Sequence, residues 1–176
     1  MSANGQTGAR SCWAAVLGDC DQKLSREHVV SRCLFEFNEI VVQGFPWCLN
    51  EPKSIGLSNL VAKILCKKHN SNLSELDSVA LTAFNAFRQS IHLNNVRGRM
   101  KKPSAWNVKI FRIDGPRFER WFLKTLINLS FGKEWPIGTG SHPDGTATDE
   151  LVEAAFGLRE LGHGAGLISQ VKLATK

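Results

Sequence analysis

No stretch of this 176-residue chain approaches the roughly 18–20 consecutive apolar residues that a membrane-spanning helix needs, so such a helix is excluded. Residues 1–10 are polar and lack the apolar core of a secretory signal, and they read as a frayed tail. No internal repeat is visible. The glycine-rich run at 162–166 has neither a preceding strand nor a Gly-Lys-Ser/Thr ending, which excludes a phosphate loop. His92, His142 and His163 lack partners at any diagnostic spacing and are assigned no role. The cysteines number five, an odd count, and nothing points to secretion. A disulfide framework is therefore not expected; metal binding or burial explains the thiols better.

What is present describes a soluble globular protein, with 43% hydrophobic and 22% charged residues. The formal net charge is +6. Residues 1–95 carry nine Lys and Arg against eight Asp and Glu, and residues 96–176 carry thirteen against eight. The basic excess thus sits in the second half, and it is compatible with a nucleic-acid partner.

Along the chain, Cys12 and Cys20 flank an apolar patch that ends in Gly18 and Asp19. Two cysteines around a short loop form half of a zinc site or a pair of buried thiols; seven intervening residues exceed the usual two to four. Residues 24–30 alternate like a short strand, which sends Glu27 and His28 to opposite faces. Residues 33–37 and 40–42 are apolar and predict a helix or irregular core segment, with Cys33 in the core. Residues 43–56 read as a loop, and 57–65 as a second strand or its approach. Leu73, Leu76, Ala80, Phe84, Phe87 and Ile91 recur at steps of three and four, which predicts an amphipathic helix over 71–92. Residues 96–102 form a basic linker, and 106–113 alternate like a strand. A second amphipathic helix follows Pro116 and carries Phe118, Trp121, Phe122, Leu126 and Leu129. A Gly/Pro-rich loop leads to a short helix over 149–156 with acidic residues in its first turn.

The chemistry concentrates in two places. Glu27-His28-Val29 ends the first strand, and Cys66-Lys67-Lys68-His69-Asn70 opens the long helix about forty positions on, with Asn59 between them. An imidazole that titrates near neutral pH suits a general base. Glu27 and Asn70 are oxygen donors of the kind Mg²⁺ prefers. This order of elements resembles the HNH nucleases of the ββα-metal superfamily, in their zinc-containing subtype. The resemblance covers roughly residues 10–92 and leaves the C-terminal half unexplained. Ser31 stands where the family often has proline.

The resemblance implies an α+β fold with an HNH-like ββα-metal core at 10–95, a flexible tail at 1–9 and a basic strand-helix extension at 96–176. It implies a metal-dependent endonuclease acting on nucleic acid, DNA by expectation, with His28 as the general base and Asn59 pinning the loop; Asn50 is the rival for that role. Glu27 and Asn70 would hold a catalytic Mg²⁺ or Mn²⁺. Cys12, Cys20, Cys66 and His69 would hold a structural Zn²⁺. In the alternative assignment His69 binds the catalytic ion and Cys66 is merely buried. Lys67, Lys68, Arg97, Arg99, Lys101 and Lys102 are the basic residues expected to meet phosphates. Asp77 is expected to cap or orient a neighbour. A cytoplasmic setting in a bacterium or phage is implied, as a homodimer or within a defence or mobile-element assembly. The competing reading keeps the zinc-stapled scaffold as a nucleic-acid or protein binding module without catalysis.

Overall fold

The structure is a computed structural model that describes residues 12–21, 23–101, 107–131, 147–162 and 166–167. Its architecture is α+β, with two small two-stranded sheets and three helices among the described residues. Strand β1 is Leu24–His28, β2 is Glu39–Val42, β3 is Lys53–Gly56 and β4 is Val61–Cys66. Helix α1 is Lys67–Gly98, α2 is Gly115–Phe131 and α3 is Asp149–Phe156.

The outer strands of this order pair with each other. β1 runs antiparallel to β4 with Leu24 opposite Cys66 and His28 opposite Val61. The register slips between Ser25 and Glu27, where β4 uses one residue more than β1. Such a bulge re-aims side chains locally, and here Glu27 is 7% exposed. β2 and β3 form a separate hairpin inserted between them, with Ile40 opposite Ile55. β4 passes into α1 without a loop, because Cys66 is both the last strand residue and the helix N-cap. Its sulfur accepts the His69 backbone N–H at 3.4 Å.

α1 then folds back along β1. Leu73, Leu76, Ala80 and Ala83 form its buried stripe and meet Phe118, Trp121 and Ile127 of α2. Each large side chain so buried stabilises the fold by on the order of 1.5–3 kcal/mol. Phe84 packs edge-on to Phe118 and Trp121, with ring centroids 5.7 and 5.6 Å apart. α3 starts at Thr148, whose hydroxyl accepts the Leu151 N–H, and stops at Gly157 with φ 72°. Glycine suits this left-handed cap, since a Cβ there would also strike the Arg120 guanidinium at 2.7 Å. The same core takes Trp13, Ile64 and Leu65 from the first half of the chain and Val152 and Ala155 from the second. No helix among the described residues is long and apolar enough to cross a membrane.

Several sequence expectations change. Residues 107–113 are not a strand but an unpaired segment, with Val108 85% and Ile110 73% exposed; Trp106 lies outside the described residues. Alternation gives side-chain spacing but supplies no neighbouring strand. Residues 40–42 belong to β2 rather than to a helix or core segment, and Val41 is largely exposed. The expected loop at 43–56 contains β3. Cys33 is exposed rather than in the core. The expected linker at 96–102 begins as the last turn of α1, which extends in both directions beyond 71–92.

Candidate metal centre and hairpin site

Four side chains converge where the first loop, the end of β4 and the start of α1 meet. The Sγ atoms of Cys12, Cys20 and Cys66 lie 3.4, 3.5 and 3.3 Å from the Nδ1 of His69. All four donor atoms lie within 4.8 Å of one another, and the set can hold a metal ion. Local structure accounts for the wide spacing of the first two cysteines. A 3-10 turn at Ala15–Leu17 and positive φ at Gly18 (74°) and Asp19 (49°) carry the chain back on itself. The Trp13 N–H anchors this loop to the Ile64 carbonyl at 3.0 Å.

The surroundings suit a ligand cluster. His69 is 2% exposed, and its Nε2 faces the Asp19 carboxylate at 3.2 Å. A carboxylate on the far ring nitrogen fixes the tautomer and frees Nδ1 as a ligand. Asp19 also pairs with Lys68. That ammonium, with the neighbouring His69, holds the Asp19 carboxyl below its usual range. Phe156 of α3 closes the apolar side, its ring edge-on to His69 at 5.4 Å. Burial pushes the Cys12 thiol up, and burial together with the neighbouring thiols pushes Cys20 up to about 12. A metal ion must therefore displace protons from these thiols, which makes its binding weaken in acid.

No family model matches the chain, and no curated protein or solved structure matches it either.

The second cluster lies along β1. Asn70 donates from Nδ2 to the Ser25 Oγ at 3.1 Å and also bonds the Glu27 carboxylate. Glu27 and Asn70 are thus brought together as the sequence suggests, and Ser25 joins them. His28 is half-buried at the end of β1, opposite Val61. Asn59 is exposed in the 3-10 turn just before β4, next to Leu60, whose carbonyl accepts the Val29 N–H at 2.8 Å. The rival Asn50 lies in the loop of the β2–β3 hairpin, where its carbonyl accepts from Gln43.

The basic residues divide. Lys67 and Lys68 are exposed on the first turn of α1, with Lys68 engaged by Asp19. Arg97, Arg99 and Lys101 stand at the far end of α1, roughly 30 Å beyond Asp77 at 1.5 Å per residue. The structure does not bring them to His28. Lys102 lies outside the described residues. Two cations not foreseen from sequence do approach the hairpin. Arg26 and Lys63 line a groove of about 510 Å³ with Leu24, Ala62 and Val61, the strand partner of His28. Their strand alternation is the signal that could have found them. A second pocket of about 470 Å³ lies elsewhere, lined by Arg88, Gln89, His92, Leu93 and Lys109.

The residue most clearly missed is Lys124. Its Nζ lies 2.9 Å from Glu27 Oε1 and 3.0 Å from Asp77 Oδ1, and the residue is 1% exposed. Asp77 also accepts from the Ser31 Oγ at 2.5 Å, and that hydroxyl in turn accepts the Trp121 indole N–H at 2.8 Å. Asp77 orients two neighbours, as expected of it. Ser31 is a junction of this network. Burial pushes the Glu27 carboxyl up against the opposing pull of Lys124. These surroundings do not fit the expected Mg²⁺ at Glu27 and Asn70. Mg²⁺ keeps several waters and wants uncompensated oxygen donors, whereas Glu27 is buried and already faces an ammonium.

Proposed function

We propose that this chain is a zinc-stapled ββα module of the HNH type that hydrolyses nucleic-acid phosphodiester bonds, DNA first, with His28 as general base. The observation that carries the reading is the arrangement around the β1–β4 hairpin. His28 ends one strand, the Asn59 turn precedes the other, and Arg26 and Lys63 line a groove against Val61. Two cations in a groove walled by Val61, the strand partner of the half-buried His28, suit a phosphate backbone held while a water is deprotonated. Asn59 would steady the turn next to His28. No step is routed through a cation at Glu27.

Zinc is the metal that the four-ligand cluster suits best. A tetrahedral ion with Zn–S near 2.3 Å and Zn–N near 2.0–2.1 Å has S···N edges of about 3.6 Å. The three separations of 3.3–3.5 Å are close to that edge. Three thiolates and one imidazole leave no open position, so the ion staples rather than catalyses.

Lys124 favours a second reading, a zinc-stapled binding module without catalysis, because the carboxylate nearest His28 is already neutralised. One experiment separates the two. Supercoiled plasmid is incubated with the protein or a folded His28→Ala variant, with and without Mg²⁺ or Mn²⁺, and binding is followed in parallel by gel shift. Nicking by the wild type that the variant lacks supports hydrolysis. Binding without nicking supports the module. Neither would overturn both.

A further inference from the structure

The Glu27 carboxylate sits next to the proposed base and has two acidic-site neighbours, Asp77 and Asn70, yet its countercharge comes from the protein itself. Two carboxylates within reach of one common cation are what a hard divalent ion binds. Here the ammonium of Lys124 stands between the carboxylates, at ordinary hydrogen-bond distance from each. We infer that Lys124 is the resident cation of the Glu27–Asp77 pair, so that this site excludes divalent ions and any cleavage proceeds without one held by these two carboxylates.

The position of Lys124 is fixed from both sides along α2. Trp121, one turn earlier on the same face, donates its indole N–H to Ser31. Asn128, one turn later, accepts the Trp13 indole N–H at 3.0 Å and donates to the Val29 carbonyl at 3.4 Å. Ser31 and Val29 flank the end of β1, so α2 is laced to the same segment that carries Glu27 and His28. Withdrawing Lys124 to admit a hydrated ion would break both of its ion pairs while α2 stays fixed by these bonds. The remaining carboxylate lone pairs are also served, by Asn70 at Glu27 and by Ser31 at Asp77. Residues 115–131 thereby complete the hairpin site instead of standing apart from it. A fixed ammonium supplies positive charge beside a bound phosphate that no chelator can remove. Cleavage without Mg²⁺ rests on the proposed hydrolysis, but exclusion of the cation does not.

The test is a Mn²⁺ titration of the zinc-loaded full-length protein followed by electron paramagnetic resonance. Thiolate sites hold zinc against Mn²⁺, so the staple does not interfere. Wild type and Glu27→Gln are expected to leave the free Mn²⁺ signal equally unaffected. One equivalent of bound Mn²⁺ in the wild type, lost in Glu27→Gln, would overturn the inference. Lys124→Met, checked for folding and zinc content, is expected to gain a Glu27-dependent site with Mn²⁺ affinity at least about tenfold higher, because the carboxylate pair is then uncompensated. A folded Lys124→Met protein that gains none would also overturn it. If that variant does not fold, the comparison of wild type with Glu27→Gln decides. Absence of plasmid nicking under any condition would count against hydrolysis and leave the Mn²⁺ result standing.

Discussion

The Lys124 ammonium and the Glu27 carboxylate meet at 2.9 Å inside the protein, with 1% and 7% of their residue surfaces exposed. Removing one partner of such a pair leaves a buried charge without compensation, which typically costs about 3–5 kcal/mol. Lys124→Met should therefore lower unfolding stability in urea by that amount. Adding Glu27→Gln to it should cost less than the sum of the single changes, because one orphaned charge disappears. Strict additivity of the two changes would mean that the pair is not coupled.

The same burial makes the site sensitive to pH. The Glu27 carboxyl is raised above its ordinary 4.5 by burial, with Lys124 pulling the other way but not cancelling it. The folded chain then retains this proton just above pH 4.5, where the unfolded chain has released it. Stability from this group is fullest in acid and falls as pH rises through the folded value. Lys124 shows the opposite balance: burial lowers it, but Glu27 and Asp77 outweigh burial and raise it above 10.5. Its contribution is present below pH 10.5 and is lost as pH climbs through the folded value. Carbon-13 carboxyl shifts, with the Glu27 signal assigned by Glu27→Gln, should give a midpoint above 4.5. A midpoint at or below 4.5 would contradict the burial argument.

Ser31 links Trp121 to Asp77, accepting from one and donating to the other. Ser31→Ala leaves the buried indole N–H without its acceptor and takes one donor from Asp77. The expected loss is about 1–3 kcal/mol, the usual penalty for an orphaned buried polar group. Ser31→Thr, which keeps the hydroxyl, should recover part of it. A Ser31→Ala protein as stable as wild type in a thermal melt would show that the network is slack.

Much of this was legible in the sequence, in proportion to how local the determinant is. The stripe from Leu73 to Ala80 specifies its own helix, and the acidic first turn at Asp149 marks α3. The grouping of the cysteines with His69 is what the resemblance to zinc-containing HNH proteins implies, and the structure does bring the four together. The bulge that turns Glu27 inward was not legible, since register depends on which strand becomes the neighbour. β4 lies more than thirty residues from β1, and the inserted hairpin between them gave no sign of that pairing. Lys124 was missed for a different reason. It sits on the buried face of α2 between Trp121 and Asn128, and a cation on an apolar stripe is itself the signal that a buried acid awaits it. The 107–113 segment misled because its period of two describes an extended chain whether or not a partner strand exists.

The proposed function places a bound phosphate backbone against Arg26 and Lys63. Changing both to alanine should weaken binding to duplex DNA and make its salt dependence shallower, by a log–log slope of about 2 for two lost contacts. Fluorescence anisotropy at several salt concentrations reads both quantities. Changing Arg97 and Arg99 at the far end of α1 should alter the slope less. An unchanged slope in the Arg26/Lys63 variant would move the interface elsewhere.

The four-ligand cluster brings the first loop, the end of β4 and the start of α1 together, and a metal ion held there would staple the loop to both. The direct measurement is the native mass of protein purified without chelator, alongside elemental analysis. The proposed zinc staple predicts one zinc per chain, absent from a Cys20→Ser/Cys66→Ser protein, with loss of the zinc accompanied by unfolding of residues around His69. A fully folded chain that carries no metal, and takes up none when zinc is supplied, would contradict the account at its centre.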